Sequence, residues 1–517
     1  MRTRIQRILS CLLLCALLSC LLPAPAAAAA APSFRDVPST HWAADSIQRA
    51  VKAGLIQGES ATTFGVGRPM SRAAFLVVLC RFFGWEMQTP ARGSFSDNQN
   101  PKAWYYSAVE TAYANGALTR QSSTCRPNDP VTREEMAVML VRSLGYTTLA
   151  GLDQGLPCPF TDMDANRGYL NMAYYLGISG GTSATTFSPA ATATREQAVV
   201  MLMRLYDRCH TAAPERIGLT SSAEGLTDLT GYRAVAITGA QLINAGSVQL
   251  VRSPAEDTVS AVQTAAKAAG TKVLLGITAN AAIVHTRAPD LAEVLTAAVR
   301  SGGYDGVLLD IPRLPENQSG NLTFLVSTLK KQLGSGMLYV VADAPDSSGS
   351  TYGYQYAALA AAADRVILRV AAYDKTVSGF PTLPPEPLEE VYYALASLKG
   401  NLPAAKTSLW LTSTGLTRTG LTRTGSSGRL SSVSAQEIED LLHTSIATSR
   451  YSARYAVPYL IRTVNKSHAT VWYHNADSAA MRVRMAALFG IGSVCLSDLT
   501  SVAEYSDYSL LAGLGAS

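Results

Sequence analysis

The chain is poor in charge. Asp, Glu, Lys and Arg make up 16% of 517 residues, and the formal net charge is only +5. With 48% hydrophobic residues, that composition excludes a disordered polyelectrolyte and suits globular domains with sizeable cores. Histidine is scarce, at six, and the eight cysteines show no paired metal-ligand spacing, so neither a metal nor any other cofactor is implied. Past the first 31 residues no apolar run approaches the roughly 20 residues of a membrane-spanning helix. The length predicts more than one domain.

The N-terminus reads as a secretory signal over residues 1–30. Arg2, Arg4 and Arg7 form a basic start, Ile8 to Leu22 is apolar, and Pro23 to Ala31 supplies small residues for cleavage. Cys20, after Leu17-Leu18-Ser19, is loosely similar to a lipoprotein site. Cleavage removes three arginines and leaves a charge of roughly +2, which excludes a basic field for nucleic acid. Cys80, Cys125, Cys158, Cys209 and Cys495 remain, an odd number in an oxidising compartment. Buried free thiols are expected, with room for one bridge.

What is present is a repeat. Pro69-Met70-Ser71-Arg72-Ala73-Ala74-Phe75 returns as Pro130-Val131-Thr132-Arg133-Glu134-Glu135-Met136 and as Ala193-Thr194-Arg195-Glu196-Gln197-Ala198. The arginines lie 61 and 62 positions apart. Each copy opens on Phe-x-Asp, ending at Asp36, Asp97 and Asp162, followed by an aromatic at Trp42, Trp104 or Tyr169. Gly58 with Phe64, and Gly181 with Phe187, mark a turn in copies one and three; copy two has Leu118-Thr119-Arg120-Gln121 and Cys125 instead. Each copy reads as helix, loop, helix, the first helix of copy one running from Trp42 to Ala53 and stopping at Gly54. Thr132 with Glu135, and Thr194 with Gln197, match the capping box that starts a helix. A capping role does not explain the arginine, which opposes the helix dipole at that position. A guanidinium fork at a helix start suits a carboxylate or phosphate ligand.

This pattern closely resembles the S-layer homology module, with copies over 32–90, 91–150 and 156–210. The resemblance implies an all-α pseudo-threefold triplet whose grooves bind an anionic secondary cell-wall polysaccharide, often pyruvylated. It also implies that Arg72, Arg133 and Arg195 hold the carboxylate, with Asp36, Asp97, Asp162, Trp42 and Trp104 lining the grooves. The plain alternative for the tryptophans is core packing.

After a polar joint at His210 to Glu215, β-rich runs alternate with Ala-rich helical stretches. The runs are 234–237, 272–277, 306–311, 338–341, 365–370, 408–411 and 493–496, with a weak eighth at 216–219. That alternation predicts a parallel sheet closed as a (β/α)8 barrel over 215–517. An open doubly wound sheet is the alternative, but no Gly-rich phosphate fingerprint follows the first strand.

Lys272 to Asn280, Tyr304 to Pro312, Tyr354 to Asp374, Lys406 to Leu411 and Val471 to Leu499 resemble, in order, the catalytic domain of family-18 glycoside hydrolases. The branch is that of bacterial wall and spore-cortex lytic proteins. The family's fourth strand reads Asp-Gly-x-Asp-x-Asp-x-Glu, and its Glu protonates the leaving oxygen. Here Asp305 and Asp310 stand, but the middle Asp is Leu308 and the acid is Pro312. The family's Met-x-Tyr-Asp is Ala371-Ala372-Tyr373-Asp374, and its sugar-stacking Trp aligns with Leu496. The resemblance therefore implies a pseudoenzyme, with Asp305, Asp310, Tyr373 and Asp374 left as glycan contacts. Glu316 is a substitute acid only if its loop folds over the mouth, and Asp310 is the other weak catalytic candidate. Asp343 and Asn280 are placed near the mouth and have ordinary structural readings. Leu416-Thr417-Arg418-Thr419-Gly420, repeated as 421–425, reads as a Gly/Ser/Thr loop or a basic lip.

The expectation is an exported cell-surface protein, anchored non-covalently to wall polysaccharide, displaying a glycosidase-like barrel. Peptidoglycan or a chitin-like glycan is the expected partner of the barrel. The alternatives are an active wall hydrolase with a displaced acid and a purely structural surface-layer component.

Overall fold

A computed structural model describes residues 34–152, 155–226, 228–244, 247–252, 254–285, 287–349, 352–371, 383–419, 429–464, 467–502 and 509–515. The signal segment 1–30 with Cys20, and Tyr373 and Asp374, lie outside the described residues.

Each repeat folds into two helices: Ala44–Lys52 with Arg72–Phe82, Tyr106–Ala114 with Arg133–Ser143, and Arg167–Tyr175 with Arg195–Cys209. The Ser/Thr-Arg step starts the second helix each time. Ser71 accepts from Ala74 N–H at 3.2 Å, and Thr132 and Thr194 form capping boxes with Glu135 and Gln197. The second helix of one module packs on the first helix of the next, and Arg195–Cys209 returns to Ala44–Lys52. Three backbone bonds close the ring. Met70 N–H donates to Ala193 O at 2.9 Å, Val131 N–H to Met70 O at 2.8 Å, and Ala193 N–H to Val131 O at 2.9 Å. The repeat thus produces a cyclic triplet tied by three antiparallel β-bridges as well as by helix packing.

The barrel strands are β1 (Glu215–Thr220), β2 (Tyr232–Asn244), β4 (Lys272–Thr278), β5 (Gly306–Asp310), β6 (Met337–Asp343), β7 (Arg365–Arg369), β8 (Thr407–Leu411) and β14 (Ser493–Leu496). They pair in parallel in the order β1-β14-β8-β7-β6-β5-β4-β2, and β2 returns to β1, so the sheet is closed. All eight predicted runs are barrel strands. The inward layer is Ile217, Leu219, Ala234, Ala236, Leu274, Leu308, Tyr339, Val341, Ile367, Trp410 and Cys495. Burial of each large apolar side chain there contributes about 1.5–3 kcal/mol. β3 (Val248–Arg252) is an antiparallel extension of β2.

Between β8 and β14 stands a second sheet that the sequence did not announce. It comprises β9 (Gly415–Thr419), β10 (Arg429–Val433), β11 (Ala447–Ser452), β12 (Val457–Val464) and β13 (Ser467–Trp472), antiparallel in the order β10-β9-β13-β12-β11. The first copy of the Leu-Thr-Arg-Thr-Gly repeat, read as loop, is largely strand β9, because Leu416 and Thr417 are buried against the sheet core. Residues 420–428 lie outside the described residues.

Triplet and barrel share one apolar core that includes Leu202, Tyr392 and Val483. Cations cap helix C-termini across the joint. Lys399 Nζ donates to Tyr174 O at 3.2 Å and Tyr175 O at 2.8 Å, and Arg208 to Leu176 O at 2.5 Å and to Leu488 O. The five described cysteines are free thiols, and burial raises Cys80 and Cys125 to about 12. No described helix is long and apolar enough to cross a membrane.

Candidate functional site

The recurring arginines are clasps between modules. Arg72 Nε donates to Cys125 O at 2.8 Å, Arg133 Nε to Phe187 O at 3.0 Å, and Arg195 Nε to Phe64 O at 3.0 Å. Arg133 also reaches Gly180 O at 2.6 Å, and Arg195 reaches Gln57 O at 2.8 Å. This contact with the following module explains why an arginine recurs where the helix dipole disfavours it. Two of the three lie over the aromatic of the partner loop, Arg133 at 5.1 Å from the Phe187 ring and Arg195 at 4.9 Å from Phe64. Arg72 meets Cys125 in that place and has no such ring.

The aspartates bind loop amides. Asp36 accepts from Phe64, Gly65 and Val66 N–H at 2.7–3.0 Å, Asp97 from Cys125 and Arg126, and Asp162 from Phe187 and Ser188. They shape the loops that receive the arginines, because those turning amides need an acceptor. Burial works against ionisation at Asp36 and Asp97, but the backbone donors outweigh it and hold both carboxyls below their ordinary value. At Asp162 the Phe187 amide leads the same lowering.

Grooves lie at the module boundaries. One, of about 280 Å³, is lined by Trp42, Arg133, Gly180, Gln197 and Arg204. Trp42 is 62% exposed and Trp104 65%, so neither is core. Burial, then the neighbouring Arg204, depresses the Arg133 pKa. The Arg133 and Arg204 guanidinium groups both line this groove, no carboxylate does, and the nearby Asp162 acts on Arg133 electrostatically. The corresponding groove behind Arg72, about 440 Å³, is lined by Thr119, Glu135, Arg142 and Asn166. There Glu135 pairs with Arg72 at 2.7 Å and with Arg126, while Arg142 lies 5.2 Å from the Tyr169 ring. Neither Glu135 nor Arg204 stood out as a site residue in the sequence. Aligning the residue two past each repeat arginine (Ala74, Glu135, Gln197) was the available signal.

An ion-paired cluster stands at the barrel mouth. Asp310, Asp343 and Arg369 end the adjacent strands β5, β6 and β7. Arg369 Nη1 donates to Asp310 at 2.7 Å and its Nε to Asp343 at 2.6 Å, beneath the surface and 5.4 Å from the Trp410 ring. Asp343 also accepts from Arg313 N–H at 2.6 Å and Tyr354 O–H at 3.2 Å. Among the described residues Asp310 Oδ1 is buried without a partner, and burial raises its carboxyl more than Arg369 lowers it. Leu308 fills the barrel interior. Asp305 is not at the mouth. It precedes β5, about 16 Å along an extended strand from Asp310, and is fixed by Lys272 Nζ at 2.8 Å and Val273 N–H at 2.9 Å. Asn280 caps Ala282 N–H at 3.0 Å. Glu316, itself exposed, opens the 3-10 turn Glu316–Gln318.

Ser478, His474 and Glu386 form a chain of 3.1 and 3.0 Å contacts that has the order of a nucleophile triad. All three are buried to within 1% of complete enclosure, and burial lowers the His474 pKa. With Arg482 bonded to Glu386 O and Tyr455 O, the cluster fastens the second sheet to the barrel. No described cluster of His, Cys, Asp and Glu is arranged to hold a metal.

The S-layer homology domain model matches residues 33–76, 95–137 and 159–199. The S-layer protein of Bacillus thuringiensis subsp. finitimus is 29% identical over 181 residues, 34% of this chain and 22% of its own length. An amylopullulanase of Thermoanaerobacterium thermosulfurigenes is 28% identical over 180 residues, 34% of this chain and 10% of its own. The chain thus spans about a fifth or less of these relatives. The C-terminal domain of a proposed chitinase from Desulfitobacterium hafniense DCB-2 superposes with a TM-score of 0.50 at 19% identity, over 59% of this chain and 99% of that one, which shows the fold alone. The chain therefore carries three S-layer homology domains, the mark of a secreted cell-surface protein, followed by a closed parallel barrel with the fold of that chitinase-like domain.

Proposed function

We propose that the triplet, as modules 32–90, 91–150 and 156–210, holds the chain non-covalently to an anionic, pyruvylated secondary cell-wall polysaccharide. On this reading residues 1–30 direct export and the barrel over 215–517 is displayed without catalytic activity. The observation that carries the anchor is the groove lined by Arg133, Arg204 and exposed Trp42, with no carboxylate in its lining. Paired cations beside an aromatic plane suit a sugar acid, the fork taking the carboxylate and the indole the sugar face. Arg195 and Trp104 hold the equivalent repeat positions.

Two features support a non-catalytic barrel. Proline at 312 supplies no proton, and Arg369 occupies the Asp310 carboxylate that would orient a substrate. The glycan contacts left to the barrel by the resemblance are Asp310, Tyr373 and Asp374, for an amino-sugar polymer such as peptidoglycan or chitin. The test combines co-sedimentation with wall sacculi, before and after the secondary polymer is stripped, and product analysis on peptidoglycan and chitin oligosaccharides. Binding abolished by stripping, with no sugar released, is expected. Released products abolished by Glu316→Gln would establish the competing reading, a hydrolase with a displaced acid.

A further inference from the structure

The second copy of the repeat lacks the glycine turn of the other two and reads Leu118-Thr119-Arg120-Gln121. Thr119, Gln121 and Ser122 of this loop line the Arg72 groove. Arg120 and Ser123 line a separate cavity of about 530 Å³, together with Arg92, Ser94, Ser96 and Gln99. Its two arginines belong to this copy alone. Arg120 stands five residues before Cys125, where copy one has Glu59 before Phe64 and copy three has Thr182 before Phe187. Arg92, three residues before Phe95, matches Ala31 and Pro157. In copy one the charge is reversed, and Glu59 is ion-paired with Arg68 at 2.8 Å.

The cavity has a fixed frame. Ser96 N–H and Oγ both donate to Ser123 O, at 2.8 and 3.0 Å, which ties the two lining loops together. Gln99 Nε2 donates to Gly93 O at 3.0 Å, and a Cβ at Gly93 would stand 1.7 Å from Asn98 O, so that turn closes only on glycine. The carboxylates of the neighbourhood are committed elsewhere. Glu110 accepts from Ser94 N–H at 3.0 Å, Ser94 Oγ at 2.6 Å and Asn98 Nδ2 at 2.7 Å. Asp97 accepts from the Cys125 and Arg126 amides. Among the described residues, the exposed guanidinium groups of Arg92 and Arg120 and the Ser123 hydroxyl have no hydrogen bond or ion pair.

We propose that this cavity is a phosphate-binding site on the second module, apart from the grooves between modules, with Arg92 and Arg120 as its two forks and Ser123 Oγ as a further donor. One guanidinium fork satisfies a planar carboxylate, whereas a phosphate presents oxygens in several directions and engages two. Phe95, the aromatic of the lining, is 2% exposed and offers no face to a sugar, so the charge is read without the ring that carries it. Inorganic phosphate and the phosphodiester of a surface polymer present the same oxygens. The site does not depend on the groove at Arg133 and goes beyond the anchor reading.

The test is calorimetric titration of the full chain at low salt, where exposed charges are least screened. The probes are inorganic phosphate and, separately, a glycerol phosphate oligomer. Arg120→Glu, which supplies the residue of copy one, and Arg92→Gln should each weaken binding about tenfold or more. Melting should not change, because both side chains are exposed and unbonded. Arg300→Gln removes the same charge from an exposed position in the barrel helix Ala288–Ser301 and should leave binding as it is. Tighter binding of the oligomer, per phosphate, identifies a polymer as the source, and equal binding identifies free phosphate. The proposal is overturned if the wild type binds neither probe, if neither arginine variant weakens binding, or if Arg300→Gln weakens it equally. Sedimentation with sacculi is read separately, so failure here and failure of the anchor are told apart.

Discussion

Arg133 in the anchor and Arg369 in the barrel are both enclosed arginines at a cleft, and they are finished in opposite ways. Arg133 is satisfied by carbonyls and a phenylalanine ring, with Asp162 nearby but no carboxylate clamped on its guanidinium among the described residues. Arg369 is clamped between two carboxylates and is driven further toward its charged form by them once burial is overcome. The first arrangement leaves electrostatic attraction for a ligand. The second consumes it internally. Arg72 shows that the anchor itself contains both arrangements.

The largest expected effect comes from breaking the buried ion pair. Arg369→Ala leaves Asp310 and Asp343 buried without their cation, and removal of one partner from a buried pair costs about 3–5 kcal/mol. Chemical denaturation should show that loss, with part restored by adding Asp310→Asn and Asp343→Asn. An unchanged midpoint would mean that the mouth is not held by this charge.

A smaller effect tests whether the two regions are one body. Lys399→Ala removes the cation on Tyr174 O and Tyr175 O and should lower stability by about 1 kcal/mol. Hydrogen exchange should rise in both the Arg167–Tyr175 and Leu388–Ser397 helices. Exchange confined to the barrel side would show that the joint is loose.

The smallest effects per residue concern acid, and they separate the regions by sign. Asp36, Asp97 and Asp162 titrate below their unfolded value in the folded chain, so their stabilisation is present above about pH 4 and is lost as pH falls through the folded value. Asp310 titrates above its unfolded value, so its contribution is fully present below about pH 4 and is lost as pH rises through the folded one. Exchange measured between pH 5 and pH 2.5 should therefore rise first in the triplet loops at 64–66, 125–126 and 187–188. Earlier exchange at β5 would reverse the comparison.

The parts legible in the sequence are those governed by long apolar runs or by repetition. All eight barrel strands were visible because strands buried on both faces read as continuous Val, Ile and Leu. The second sheet was not, since β11 reads Ala-Thr-Ser-Arg-Tyr-Ser with four exposed residues and has no apolar run to betray it. The repeat located the arginines and aspartates, but their partners lie about 50 or more residues away in the next module, beyond the reach of local pattern. Glu135 was visible as a cap, and its second role needed the ring to be closed. Arg369 carried a signal in being a charge within an apolar strand; what it neutralises depended on the alignment of three strand ends.

The central claim is that the inter-module grooves hold the wall. The most direct measurement is sedimentation of the Trp42→Ala/Trp104→Ala chain with unstripped sacculi, since both indoles are exposed and their loss leaves the apolar core intact. The account predicts that the double variant stays in the supernatant while melting as the wild type does. A variant that sediments like the wild type would contradict it.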